Sequence, residues 1–261
     1  MAKENAVILC GVAQGDATVK LGEDSSPVRG MLYIRVVDRT WNDGDQCDVQ
    51  HTTVFVYSGN PKIIDKMMEI KNGDIVDVYG TLTTAKVPKN RKCPVCGSID
   101  RSMGDITYVS PLYICRREHD LTPEKTSEIL MERSEFSNRI FAIGNICAGL
   151  AYSDNNGAGN PKLQYQMAIP RTIRVHDGTA NIETDYPWVF TTGMQAVEGK
   201  DALRIGSVIY IKGHLRSKAQ SKDIKCSKCE NVFTSPDFPL IMISPHFTEY
   251  LHNCNFPDAN K

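Results

Sequence analysis

Short apolar runs of strand length recur along this chain, and polar or glycine-containing segments separate them. In Met31–Val37 the apolar residues alternate, so that Leu32, Ile34 and Val36 share one face, which is the period of a half-buried strand. The first half of the chain contains five such runs: Ala6–Gly11, Met31–Val37, Thr52–Tyr57, Ile75–Thr83 and Ile106–Cys115. The pattern predicts five β-strands there.

One segment between the third and fourth of these strands has helical spacing instead. Pro61–Ile70 places Ile63, Ile64 and Met67 on one face, and Gly73 follows as a terminator. Five strands with a single helix between the third and the fourth is the element order of an OB barrel. The first half therefore predicts one such barrel.

The chain repeats this pattern when it is shifted by 133 residues against itself. The shift superposes glycines and cysteines on their counterparts: Gly11 on Gly144, Gly73 on Gly206, Gly80 on Gly213, and Cys93 and Cys96 on Cys226 and Cys229. This period is longer than the ~20–50 residues of a solenoid repeat, so each copy should have its own core. The second copy predicts these elements: Ile140–Gly144, Leu163–Ile169, Tyr186–Thr191, a weak helix over Gln195–Leu203, Val208–Ser217 and Leu240–Ser244.

We therefore expect a mainly all-β fold of two tandem OB-fold barrels. Each has a short helix between strands 3 and 4 and a hairpin between strands 4 and 5 that carries a CxxC pair. Residues 1–120 form the first OB fold, called the first unit below, and residues 138–252 form the second unit. Residues 121–137 are charged and rich in helix formers, which predicts a helical connector, and residues 253–261 form a loose tail.

Composition limits the classes of protein. Of the 261 residues, 41% are hydrophobic and 23% are charged, the proportions of a folded protein. The sequence has no apolar run of the ~20 residues that a membrane helix needs and no signal segment, so we expect a cytoplasmic protein without membrane contact. The nine cysteines are then thiols or metal ligands. Since the net charge is −1, any affinity for nucleic acid must come from local positive charge.

Several longer segments resemble the bacterial single-stranded DNA-binding protein family: Asn5–Gly11 and Lys71–Leu82 in the first unit, and Asn138–Ile146, Trp188–Gly193 and Arg204–Ser217 in the second. The resemblance covers about four-fifths of the chain, although the family generally lacks the CxxC pairs. It implies sequence-tolerant binding of single-stranded DNA in replication, repair or transfer, and an assembly of four OB folds. With two per chain this is a homodimer. Replication or mobile-element proteins are then expected partners, and the chain is expected in a bacterial cytosol or as the product of a phage or mobile element.

Aromatic side chains are candidate platforms for DNA bases, because stacking tolerates any base. Trp41 follows the second strand among polar residues and matches a base-stacking tryptophan of the family. Tyr57 matches a stacking phenylalanine, and Tyr186 lies where the family often has an aromatic residue. Trp188 is two residues further on and shares the face of Tyr186. Packing in the core remains the alternative for Tyr57, Tyr186 and Trp188, and an exposed aromatic residue without DNA contact is the alternative for Trp41.

Basic side chains cluster on both predicted hairpins, where the family's long loop grips DNA. The segment Lys86–Lys92 contains no acidic residue. The candidate phosphate contacts are Arg35, Arg39, Lys86, Lys89, Arg91 and Lys92 in the first unit, and Arg171, Arg174, Arg216, Lys218, Lys222 and Lys225 in the second. For any one of them a solvated surface cation is the competing interpretation.

Each CxxC pair offers two thiolates, which is half of a structural zinc site. A shared four-cysteine site needs no further ligands: Cys93, Cys96, Cys226 and Cys229. A separate site in each unit would recruit other residues: Cys115 and His119 in the first, and His246, His252 or Cys254 in the second. We favour one shared zinc ion, because these additional candidates do not align between the units. A redox dithiol is the other alternative, but such motifs normally begin a helix in a βαβ unit.

The sequence favours a binding protein over an enzyme. It contains no P-loop, GxGxxG, HExxH or nucleophile elbow, and neither CxxC has the nearby His-x-Glu of a zinc deaminase. We expect no catalytic residue and no small-molecule substrate. An adaptor that uses OB folds and zinc to bind RNA or protein partners remains the alternative function, since OB folds serve many ligands.

Overall fold

The computed structural model describes residues 3–41, 47–154, 160–171, 173, 175 and 181–255. The described first unit contains six strands and one helix: β1 (Asn5–Ala13), β2 (Thr18–Leu21), β3 (Pro27–Trp41), β4 (Cys47–Ser58), α1 (Pro61–Met68), β5 (Ile75–Lys92) and β6 (Ile99–Glu118). The connector contains helix α2 (Pro123–Glu132). No helix of the described residues is long and apolar enough to cross a membrane.

The second unit has the same order of elements, but its strands are interrupted at two more places than those of the first unit. Its described elements are β7 (Asn138–Ser153), β8 (Lys162–Pro170), β9 (Thr184–Asp185), β10 (Trp188–Thr192), α3 (Met194–Ala202), β11 (Val208–Lys218), β12 (Ser221–Lys225), β13 (Val232–Pro236) and β14 (Leu240–His252). The prediction of a mainly β chain with one helix in the middle of each half is confirmed.

Strand pairing closes a ring of five strands in each unit. In the first unit β1 pairs with β3, β3 with β4, β4 with β6, β6 with β5, and β5 with β1. In the second unit the ring runs through β7, β8, β10, β14 and β11. In each ring one pairing is parallel and the others are antiparallel. The parallel pairing is β4 with β6 in the first unit and β10 with β14 in the second. β1 also pairs with β7, which joins the rings into one sheet of twelve strands.

Two local devices recur at equivalent positions and explain why the repeat is visible in the sequence. The Asn5 side chain exchanges two hydrogen bonds of 2.9 Å with the backbone of Leu82, and Asn138 does the same with Leu215 at 2.8 and 2.9 Å. Gly80 and Gly213 lie at bulges, where a Cβ would overlap the carbonyl oxygen of the neighbouring strand. Both devices require one residue type, so duplication preserved them.

The helices cover apolar surface that the barrels leave open. α1 begins after Asn60, whose side chain accepts a hydrogen bond from the Lys62 backbone, and buries Ile63, Ile64 and Met67. The connector helix α2 is docked on the first unit, because Ile129 and Leu130 are buried against β1. The backbone of Asn255 donates to Ala202 O at 2.7 Å, so residues 253–255 lie against the second unit, and residues 256–261 lie outside the described part.

The hairpins differ from the sequence-based prediction. The apolar pattern predicts that the fourth strand ends at Thr83, but β5 and β6 pair as far as Lys92 and Ile99, so the basic segment 86–92 is part of β5. The second hairpin is interrupted, since β12 and β13 form a separate two-stranded sheet. The predicted strand Tyr186–Thr191 begins only at Trp188. Pro187 precedes it and has no N–H for the ladder.

Candidate metal centre and nucleic-acid interface

The tips of the two hairpins meet, and their four cysteines form one cluster. The sulfur atoms of Cys93 and Cys229 are 3.7 Å apart, and those of Cys96 and Cys226 are 3.6 Å apart. All four Sγ atoms lie within 4.8 Å of one another. Sulfurs that bind a tetrahedral zinc ion at about 2.3 Å are separated by about 3.8 Å. The cluster therefore fits a single metal ion shared by the two units.

The same turn presents the cysteines in each unit. Gly97 N donates to Cys93 O at 3.0 Å in the first hairpin, and Glu230 N donates to Cys226 O at 2.9 Å in the second. Gly97 and Glu230 occupy aligned positions and both have a positive φ, 70° and 57°.

Hydrogen bonds from the Ser98 hydroxyl and from the backbone lower the pKa of Cys226 to about 6, and Ser98 also lowers that of Cys96. Despite a backbone hydrogen bond from Asn231, desolvation and the three neighbouring sulfurs raise the pKa of Cys229 to about 12. The thiolate that binds metals is therefore favoured at Cys226 and Cys96 and not at every sulfur.

Three of the predicted DNA-binding cations lie in ion pairs where the two units meet. Lys89 contacts the Asp237 carboxylate, and Arg91 Nη2 lies 3.3 Å from Asp237 Oδ2. The side chains of Lys89 and Arg91 are each only 9% exposed. Arg171 binds Asp185 through Nε and Nη2, both at 2.8 Å, and its side chain is 6% exposed. Lys89 and Arg91 thus pair with a carboxylate of the second unit, whereas Arg171 pairs within the second unit and meets the first at Thr84, whose carbonyl oxygen lies 3.5 Å from Arg171 Nη2.

The other predicted cations are more accessible or differently engaged. Those classed as exposed are Arg35, Lys86, Lys92, Lys218, Lys222 and Lys225. Lys225 Nζ lies 3.5 Å from a Glu230 carboxylate oxygen on the same hairpin. Arg39 and Arg216 are half-buried, and Arg174 lies outside the described residues.

The predicted stacking residues occupy different environments. Tyr57 is half-buried, and its ring lies 5.4 Å from that of Tyr108 in an edge-to-face contact. Tyr186 is 47% exposed, whereas Trp188 is half-buried. The side chain of Trp41 lies outside the described part of the chain.

Sequence reasoning missed Tyr33 and Phe55, whose rings lie 5.0 Å apart where β3 and β4 pair. Tyr33 is 46% exposed. In the alternating segment Met31–Val37, Tyr33 lies on the face opposite to Leu32 and Ile34, and this position could have identified it as a surface aromatic residue from the sequence.

Comparison of the whole chain with solved structures identifies its fold. A deletion mutant of the single-stranded DNA-binding protein from Thermus aquaticus matches 99% of this chain and 100% of its own, with a TM-score of 0.61 and 14% sequence identity. The fold is that of a bacterial single-stranded DNA-binding protein. The wild-type Thermus aquaticus protein matches 98% of this chain and 97% of its own, with a TM-score of 0.56 and 12% identity. No family model and no curated protein matches the sequence.

A second cluster that sequence reasoning missed lies between the units of this double-barrel fold. It joins Asp38 on β3 to His214 on β11 and His246 on β14. Arg216 Nε lies 2.8 Å from His214 Nε2, and a guanidinium can only donate, so Nε2 accepts and the proton of neutral His214 is on Nδ1. Nδ1 lies 3.1 Å from His246 Nε2 and donates to it. The His214 lone pair is therefore used by Arg216, which argues against a metal ion here.

Burial keeps these imidazoles neutral. Burial, with the nearby His246, Arg216 and Arg139, lowers the pKa of His214 to about 3. Burial also lowers the pKa of His246 and raises that of Asp38. Asp38 Oδ2 lies 3.3 Å from His214 Nε2 but receives no hydrogen bond there, because Nε2 carries no proton in this tautomer. The contributing residues come from different units, so no local motif in the sequence marks this cluster.

Proposed function

We propose that this chain binds single-stranded DNA with little sequence preference and without catalysis. The observation that carries the proposal is the full-length fold likeness to the Thermus aquaticus protein, whose name states that it binds single-stranded DNA. In the proposal residues 1–120 and 138–252 are the two binding units, residues 121–137 connect them and residues 253–261 are a tail. Exposed aromatic rings and lysines on both units are consistent with this role.

The proposal divides the predicted basic residues into two groups by their contacts. The exposed cations Arg35, Lys86, Lys92, Lys218, Lys222 and Lys225 are the main phosphate contacts, and Arg39, Arg174 and Arg216 supplement them. Lys89, Arg91 and Arg171 position the hairpins, because their charges are already matched by the carboxylates of Asp237 and Asp185. Bases stack on Trp41, Tyr57, Tyr186 and Trp188.

We further propose that the four-cysteine cluster binds one zinc ion with a structural role. Four thiolates complete a tetrahedral zinc site and leave no open position for water, so this centre is not catalytic. The spacing of the four sulfurs supports this assignment. The ion would hold the two hairpin tips together.

A homodimer is also part of the proposal. Strands β6, β5, β1, β7, β11 and β14 are consecutive in the sheet, and their outward side chains include apolar residues. Ile8, Tyr79, Tyr113 and Phe247 are 40 to 48% exposed there. Burying this face against a second copy would bring four OB folds together. Light scattering of the purified protein, which gives its molar mass, tests this.

Binding of labelled oligo-dT, duplex DNA and oligo-rU, followed by fluorescence anisotropy over a salt series, tests the proposed function. We expect tight binding of oligo-dT that weakens as salt is raised, with little binding of the duplex. Bases in a duplex are paired and stacked, so they cannot occupy aromatic platforms. Absence of oligo-dT binding at low salt, or a strong preference for oligo-rU, would contradict the proposal and favour the adaptor alternative.

A further inference from the structure

Ser98, at the tip of the first hairpin, contacts the cysteine cluster from outside it. Its hydroxyl oxygen lies 3.1 Å from Cys96 Sγ and 3.1 Å from Cys226 Sγ, so one side chain touches a sulfur of each unit. Among the described residues it is the only side chain, apart from the cysteines themselves, that forms a hydrogen bond to these four sulfurs. This outer contact spans the boundary between the units.

Hydroxyl chemistry allows this contact with and without a metal ion. A hydroxyl has one proton to donate and lone pairs that accept, whereas a thiolate can only accept. Ser98 therefore donates to a thiolate when the cysteines are deprotonated. When they are protonated, it can accept from one S–H and donate to the other sulfur. The same oxygen can thus link Cys96 and Cys226 before and after metal binding.

The aligned residue of the second hairpin does not repeat this contact. A shift of 133 residues places Asn231 at the position of Ser98. The two backbones have the same role, since Ser98 O accepts from Cys93 N and Asn231 O accepts from Cys226 N, both at 2.8 Å. The Asn231 side chain, however, makes no hydrogen bond to a sulfur in the part of the chain that the structure describes. This aligned pair separates the role of the turn from the role of the side chain.

A site divided between two hairpins has to bring its halves together before it can hold an ion. The second half lies between β12 and β13, which form a sheet separate from the barrel. A side chain that already connects Cys96 to Cys226 reduces the ordering that metal binding would otherwise require. Donation to a thiolate also stabilises its charge, because hydrogen bonds to ionised acceptors are the stronger ones.

We propose that Ser98 is a positioning residue of the metal centre, which joins its two halves and strengthens metal binding. The inference rests on the proposed zinc centre and adds to it a residue outside the four ligands. It assigns this role to the hydroxyl and not to the turn that Ser98 shares with Asn231. Partners of this kind outside the ligand set typically change metal affinity by about 10–100-fold.

Zinc affinities of full-length variants test the inference. Ser98→Val and Ser98→Thr have the same shape, and only the threonine keeps a hydroxyl. Ser98→Ala and Asn231→Ala truncate the two aligned positions. Competition with a chromophoric chelator should show about 10–100-fold weaker zinc binding for Ser98→Ala and Ser98→Val. Ser98→Thr and Asn231→Ala should bind zinc nearly as tightly as the parent protein.

Cobalt(II) in place of zinc gives a readout that a purely structural role would not move. Charge transfer from sulfur to cobalt absorbs in the near ultraviolet, and its energy falls when a thiolate loses a hydrogen-bond donor. We expect this band at longer wavelength in Ser98→Val than in Ser98→Thr. The visible bands of a tetrahedral four-sulfur site should stay in place in both variants.

The outcomes separate this inference from the proposed zinc centre. If the parent binds neither zinc nor cobalt, the centre itself has failed. If the parent binds zinc but Ser98→Val matches Ser98→Thr in affinity or in band position, the hydroxyl does not position the ligands although the centre stands. An equal loss of affinity in Asn231→Ala and Ser98→Ala would overturn the inference in the same way. Should Ser98→Ala not fold, the valine and threonine variants decide.

Discussion

The two hairpins carry the same cysteine motif, but the pairing of their strands is continuous in one and interrupted in the other. In the first, β5 and β6 pair without interruption from Gly80 and Pro111 to Lys92 and Ile99. In the second, the ladder from the barrel ends at Lys218 and Leu240, and β12 and β13 continue as a separate sheet of five residue pairs. A two-stranded sheet of this size is at best marginally stable alone. The second hairpin therefore depends on its contacts with the first.

One pair of aligned positions shows how the copies have specialised. Asp237 lies at the break in the second hairpin, and a shift of 133 residues places Gly104 at this position in the first. A Cβ at Gly104 would overlap the side chain of Lys89. The glycine thus leaves room for Lys89 to reach Asp237, so divergence at one aligned position created a contact between the copies. The duplicated units have become complementary.

Loss of the metal ion should cause the largest difference in stability between the two hairpins. We expect one zinc per chain by elemental analysis, and none in Cys226→Ser. Because structural zinc contributes many kcal/mol to the elements that it joins, removal by a chelator should eliminate hydrogen-exchange protection over β12 and β13, while most of the β5–β6 ladder stays protected.

Cys115→Ser is the control for the metal prediction. Cys115 is half-buried, and its sulfur contacts a backbone carbonyl at 3.5 Å, away from the cluster. This variant should keep its zinc. Two zinc ions per chain, or loss of zinc in Cys115→Ser, would instead support a separate site in each unit.

Asp237→Asn should have the next largest effect. It removes the carboxylate between Lys89 and Arg91, whose side chains are 9% exposed, and leaves two buried cations close together. Breaking a buried ion pair costs about 3–5 kcal/mol. Because Asp237 is 18% exposed and Arg91 retains Ser102 at 2.8 Å and the Asp100 carboxylate at 3.9 Å, we expect the unfolding free energy in urea to fall by an amount at or below the lower end of this range. Asp223→Asn on the exposed face of the same hairpin should cost less than about 1 kcal/mol. Equal losses in the two variants would show that the inter-unit ion pair is not what supports this hairpin.

Acid should weaken a further contact between the units, at His214. Its folded-state pKa of about 3 is below the ordinary value of 6.5, so its contribution to stability is complete above pH 6.5 and is lost as the pH falls toward 3. At about 1.36 kcal/mol per pK unit, the loss between pH 7 and pH 4 is at most about 3 kcal/mol. The raised pKa of Asp38 acts in the opposite direction, whereas the lowered pKa of His246 adds to the loss.

Urea unfolding of the protein and of His214→Gln at a series of pH values measures this contribution. We expect the variant to lose less stability than the parent between pH 6.5 and pH 4. Parallel pH profiles for the two proteins would mean that His214 is not the group responsible.

The sequence was informative where a constraint is local and uninformative where partners lie far apart. The Asn5 and Asn138 side-chain bonds, the bulge glycines and the CxxC spacing each need particular residues, and these made both units and the cysteine cluster predictable. The apolar pattern predicted the fourth strand only as far as Thr83, whereas continuous pairing with β6 extends β5 through the basic segment to Lys92. The ion-pair roles of Lys89 and Arg91 were not predictable, because Asp237 is about 150 residues away.

The smallest effects should come from substitutions of exposed lysines. These substitutions compare how much each hairpin contributes to DNA binding. Lys86 lies on the first hairpin and Lys222 on the second, and both are exposed. If each contacts one phosphate, Lys86→Gln and Lys222→Gln should each reduce the salt dependence of oligo-dT binding by about one unit of slope. Lys20→Gln, on the exposed edge strand β2, is the control and should leave the slope unchanged. A changed slope for Lys86→Gln alone would mean that the second hairpin supports the first but does not itself contact the strand.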